Sequence, residues 1–163
     1  MERVRRLPIL IRDHAAVLKD QMPWADPERM LLALVDVESA RGRFAIPRHE
    51  KSFDTGGRWF NKELSRRWGA WSACSYSSFL IMYPVAVELG FDPERSPADL
   101  NDDDIAIHWA IEYIRRRILG RGAKSVRDFA DAYNSGSHRD DFVPVAYCDK
   151  FVKAYNEAES GQV

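Results

Sequence analysis

The sequence predicts a mainly α, single-domain protein with a short irregular or β segment after its second helix. Three observations carry this. Apolar residues recur at helical spacing along most of the chain. Caps and stop signals cut it into segments of ordinary helix length. Finally, 163 residues, 45% hydrophobic and 12% aromatic, supply one core and little more. One domain over 1–163 is expected, with an N-terminal helix and connector at 1–25, the main body at 26–158 and a tail at 159–163.

Residues 3–20 read as an amphipathic first helix. "MPWADPERM" then restarts the chain, with Asp26 as N-cap and Pro27 at the first helical position of a helix running to Ser39. From Arg41 to Gly57 the helical period is lost, and "RFAIP" alternates as a short strand would. Helical pattern returns over 58–67 and again over 78–89, where Gly90 ends it. A long helix opens at Asn101 or Asp102, carries Ile107, Ile111, Ile114 and Ile118 on one stripe, and closes near Gly120. Residues 125–134 form a shorter helix ended by Gly136, and 140–157 form the last.

Composition excludes several functions. A formal net charge of −1 provides no global basic field for nucleic acid or anionic membrane. No 18-residue apolar run spans a bilayer, and Arg12, Asp13 and His14 interrupt the N-terminal segment before it makes a signal peptide. Synthesis in the cytoplasm is therefore expected, with any extracytoplasmic work needing another route. Cys74 and Cys148 imply no disulfide framework, and whether the two pair is open. No metal-ligand spacing occurs and no cofactor is expected.

Within "LLALVDVES", Glu38 lies three, four and seven residues after Val35, Leu34 and Leu31, so an acid projects from the apolar stripe. Burial among such neighbours disfavours the ionised carboxylate and suits a general acid. The other reading is a helix-end ion pair with Arg41 or Arg43. In "ACSYSSFLIMYP", Ser75, Tyr76, Ser77 and Ser78 either line a groove through small residues or cap a core helix broken by Pro84. In "FADAYNSGS", Tyr133 follows Phe129 by four residues, so its ring belongs to the core while its hydroxyl needs a partner, and a buried acid is one. Asn134 and Ser135 end that helix with polar atoms in a turn, as a site or as a C-cap.

In this order the three stretches resemble the goose-type lysozyme and soluble lytic transglycosylase family, which cleaves peptidoglycan. Glu38-Ser39 matches the family's glutamate-serine pair and Ala132-Tyr133-Asn134 its alanine-tyrosine-asparagine motif. Residues 77–81 ahead of Pro84 match its glycine-to-glutamine motif, with Ser77 at the glycine and Leu80 at the glutamine. The resemblance spans about 28–155. It implies a lysozyme-like fold with a sugar-binding cleft, and Glu38 protonating the bond between N-acetylmuramic acid and N-acetylglucosamine. It implies that Tyr133 orients Glu38 or steadies developing charge and that Ser39 braces the helix end. The substrate groove would comprise Ser39, Ser75, Tyr76, Ser77, Ser78, Phe79, Asn134 and Ser135. The partner is the peptidoglycan glycan strand, met by a monomer without nucleic acid or membrane insertion. Size and the missing signal peptide suit a phage endolysin.

An inverting hydrolase needs a second carboxylate, roughly 6.5 to 9.5 Å from the first, whereas a lytic transglycosylase lets the sugar's own 6-hydroxyl attack. Glu50 and, after it, Asp54 are the candidates, each alternatively a loop ion pair with Arg48, Lys51 or Arg58. Trp59, Trp68, Trp71 and Phe79 are available for stacking on sugars or for the core. Arg115, Arg116, Arg117 and Arg121 read as a solvated face and "DLNDDDIA" as a helix start.

Overall fold

A computed structural model describes residues 2–135 and 145–159. Its described residues are mainly helical, with one small antiparallel sheet. α1 spans Glu2–Ala15 and continues as a 3-10 turn, Ala16–Leu18. α2 spans Pro27–Ser39, and the Asp26 carboxylate accepts the Glu28 and Arg29 backbone N–H groups at 2.9 and 3.3 Å. Two N–H groups that a helix start leaves without partners are satisfied there, and Pro27 has no N–H to satisfy.

The segment after α2 forms a strand, but not over "RFAIP". β1 is Arg48–His49, just beyond it, because pairing with a distant strand selects the position and local alternation does not. α3 spans Lys62–Trp68, starting where the Asn61 side chain accepts the Leu64 N–H at 3.0 Å. Residues 58–60 are not helical, since the Trp59 N–H is taken by the Ser52 carbonyl at 2.8 Å.

The expected helix over 78–89 is corrected. β2, Cys74–Tyr76, pairs antiparallel with β1 through Ser75 opposite Arg48, and with β3, Ile81–Met82, through Tyr76 opposite Ile81. Only Tyr83–Leu89, α4, is helical, and Pro84 lies in its first turn instead of breaking it. The four-residue turn between β2 and β3 needs left-handed backbone at Ser77 (φ 69°) and Leu80 (φ 48°), which a helix cannot contain.

α5, Asp103–Tyr113, begins with Asp102 capping the Asp104 N–H at 3.0 Å and runs on through a π turn, Ile114–Ile118, and a 3-10 turn, Leu119–Arg121. Ile107, Ile111, Ile114 and Ile118 are buried as their stripe requires. α6 is Val126–Ser135 and α7 is Val145–Glu157. Gly136 and residues 140–144 lie outside the described residues.

α7 packs on α2 and α6, and α1 packs on α2 and α5, around a core of Leu10, Ile11, Met30, Leu31, Leu34, Ile107, Ile114, Phe129 and Phe151. Each such side chain contributes about 1.5–3 kcal/mol relative to exposure. Cys74 and Cys148 are both buried and free. Arg115 and Arg116 pair with Glu112, and Arg117 with Glu88, a solvated ion-paired face. No described helix is long and apolar enough to cross a membrane.

Candidate active site

Glu38 occupies the last turn of α2, and the chain reverses immediately after it. Ala40, Arg41 and Gly42 adopt φ of 48°, 61° and 80°, three successive left-handed residues of which only the glycine is free of steric cost. Ser39 braces the reversal: its hydroxyl donates to the Val35 carbonyl and accepts the Gly42 N–H, both at 3.0 Å. Strained backbone of this kind persists where the surroundings over-determine it, as they do at functional sites.

The Glu38 side chain is half-buried. Tyr147 of α7 donates its hydroxyl to Oε1 at 2.5 Å, and Lys150, one turn on, donates its ammonium to the Val37 carbonyl at 3.2 Å. A cation there also meets the negative end of the α2 dipole. Burial pushes the Glu38 carboxyl above its ordinary value. The Tyr147 hydrogen bond, Arg48 and Lys150 pull it down, and the nearby charge of Glu50 pushes it up. Desolvation outweighs the rest, so the acid keeps its proton to higher pH than a free glutamate. The helix-end ion pair does not form with Arg41, which pairs with Asp36 at 3.2 Å.

Tyr133 lies in the field of Glu38, but its hydroxyl, expected to meet the acid, donates instead to the Phe79 carbonyl at 2.7 Å. Its ring packs edge-on to Tyr113 and stacks with Phe129. Burial first, and the Glu38 charge second, hold its phenol well above the usual range. The phenol that touches the acid is Tyr147, which sequence reasoning missed. Its signal was a polar-tipped aromatic four residues before the core Phe151, on the buried face of the last helix.

The groove expected from Ser75, Tyr76, Ser77, Ser78 and Phe79 is also corrected, because all five are at most 1% exposed. Their polar atoms are spent internally: Ser75 donates to the Arg48 carbonyl, Tyr76 to the Trp71 carbonyl, and Ser77 accepts the Phe79 N–H. Ser78 binds the buried Asp103 carboxylate through its N–H at 2.9 Å and hydroxyl at 2.8 Å. Ser39 is likewise 1% exposed, so it supports the site and does not face a ligand. Asn134 and Ser135 are exposed at the end of α6, with the Ser135 hydroxyl donating to the Asp131 carbonyl. Leu80 is buried.

Glu50 follows β1 and pairs with the Arg48 guanidinium at 2.5 Å, and its N–H donates to the Ala73 carbonyl at 2.9 Å. Asp54 accepts the Thr55 N–H and pairs with His49, both at 2.7 Å, and these contacts hold its carboxyl below the usual range. Of the two, Glu50 is the one whose charge bears on Glu38. Trp59 and Trp71 are exposed on this lobe, whereas Trp68 donates to the Pro93 carbonyl and Phe79 is core. Among the described residues no cluster of three or more His, Cys, Asp or Glu is placed to hold a metal ion. A cavity of about 280 Å³ lies on the other face of α2, lined by Leu32, Asp36 and Arg41, and Glu38 does not border it.

The helix-end acid, its phenolic partner and a polar lobe carrying a second carboxylate are thus drawn from segments 109 residues apart at their furthest. No family model, no curated protein and no solved structure matches this chain.

Proposed function

We propose that this protein cleaves the β-1,4 bond between N-acetylmuramic acid and N-acetylglucosamine in bacterial peptidoglycan, with Glu38 as general acid. One observation carries the reading: a carboxyl held at a helix end, half-buried, raised above its ordinary value and aimed by a single phenol. Those are the properties that glycosidic-oxygen protonation near neutral pH demands. The resemblance of Glu38-Ser39 and Ala132-Tyr133-Asn134 to the goose-type lysozyme and soluble lytic transglycosylase family supports the same chemistry.

In this mechanism Glu38 delivers its proton to the bridging oxygen as an oxocarbenium-like sugar develops. Tyr147 fixes the rotamer of the acid and stabilises the carboxylate left behind. Tyr133 acts one step back by tethering the 77–80 turn, and Asn134 offers its exposed amide to sugar substituents. Glu50, whose charge bears on Glu38, is the further acid for activating water if the product is hydrolytic. If the 6-hydroxyl of the sugar attacks instead, Glu38 itself receives that proton and no second acid is required.

The test is digestion of purified peptidoglycan followed by mass spectrometry of released muropeptides. Release is expected, with anhydro ends one water lighter than hydrolytic ends. A second reading, a glycan-binding module without cleavage, is favoured by the buried Leu80 and by Ser77 in place of the family's glutamine and glycine. Binding to the sacculus with no release would select it.

A further inference from the structure

The geometry points to Arg3, in the first turn of α1, as a positioning residue that clamps the loop leaving Glu38 to the β2–β3 turn. This rests on the proposed glycosidic cleavage and extends it to a residue that does not touch Glu38. The Arg3 guanidinium spreads over three partners in three segments. Nη1 donates to the Ala45 carbonyl at 3.2 Å, in the loop after Glu38, and Nη2 to the Asn101 carbonyl, just before α5. Nε meets the Asp103 carboxylate at 3.1 Å.

Asp103 passes the constraint on. With its side chain 10% exposed, it grips the Ser78 N–H and hydroxyl and thereby the turn whose Phe79 carbonyl receives Tyr133. Gly42 closes the circuit. A Cβ at that position would stand 3.0 Å from the Ser78 Oγ and 3.3 Å from the Arg3 Cγ, so the loop backbone lies directly against both. The Gly42 N–H is in turn held by Ser39, the residue after Glu38.

Loop, turn and acid are therefore one connected unit, and the planar five-donor fork of arginine suits two carbonyls and a carboxylate at once. A lysine keeps the ion pair but cannot match the fork. Arg3 bonds to none of the groups that face Glu38 itself, Tyr133 from α6, Tyr147 and Lys150 from α7, and Arg48 and Glu50 from the β1 lobe, so a change at position 3 reaches the acid through the loop and the turn.

The experiment compares the full chain with Arg3→Ala, Arg3→Lys and Asp103→Asn, measuring kcat and KM on soluble glycan strands, the pH profile of kcat, and amide exchange at Gly42 and Ser78. Misplacement of the acid in Arg3→Ala should lower kcat about 10- to 100-fold with KM little changed. It should also move the alkaline limb of the profile and speed both amides, with Arg3→Lys recovering part of each. Asp103→Asn retains partners for Ser78 but removes the charge facing Arg3, so, should Arg3→Ala fail to fold, it should show the lower kcat, the moved limb and the faster Gly42 amide with Ser78 exchange little changed. A lower unfolding midpoint with unchanged kcat, pH profile and amide exchange would overturn the proposal. Undiminished cleavage by Glu38→Gln would instead overturn the underlying reaction, whatever Arg3 does.

Discussion

Tyr147 of α7 donates its hydroxyl to Glu38 of α2 at 2.5 Å, joining two helices that pack side by side. The bond has two opposing consequences: it aims the acid, and by favouring the ionised form it limits how far burial can raise the carboxyl. Tyr147→Phe should therefore move the alkaline limb of the rate profile to higher pH while lowering kcat. Stability should fall by about 1 kcal/mol, the cost of a lost half-buried hydrogen bond. Rate profiles and denaturant melts of the single variant check both parts.

Glu38 should also cost stability at neutral pH. Its carboxyl is raised in the folded state, so its contribution is fully present below the ordinary carboxylate range and is lost as pH rises through the folded value. Glu38→Gln carries no such penalty. Thermal scans should show the variant more stable than the parent at pH 7, with the gap closing towards about pH 4.

The two candidate second acids should separate by their effect on Glu38. The charge of Glu50 pushes the Glu38 carboxyl up, so Glu50→Gln should shift the alkaline limb to lower pH. Asp54, occupied by Thr55 and His49, should leave the limb in place when changed to Asn. A shift of equal size in both would show that the lobe places them equivalently.

Gly42→Ala should destabilise by about 2 kcal/mol, since φ is 80° and the added methyl meets Ser78 and Arg3. Urea unfolding at constant m-value gives the figure.

Much of this was legible wherever the governing interaction is local. Asp26 and Pro27 mark the start of α2 because a cap acts within three residues, and Glu38 stands out because the apolar stripe around it spans only two turns. The 74–82 hairpin was not legible. "FLIM" reads equally as helix or strand, and the deciding contacts come from Arg48–His49, more than twenty residues upstream. Polar partners show the same divide: Ser78 looks like a free groove residue until Asp103, 25 residues away, takes both its donors, and Tyr147 finds Glu38 across 109.

The most direct measurement compares turbidity loss and muropeptide release from purified cell walls for the protein and for Glu38→Gln, with folding of both verified by thermal melts. Loss of general-acid catalysis should reduce the variant's rate at least about 100-fold while leaving it folded. A folded Glu38→Gln protein that clears walls at the parent rate would contradict the assignment of the acid.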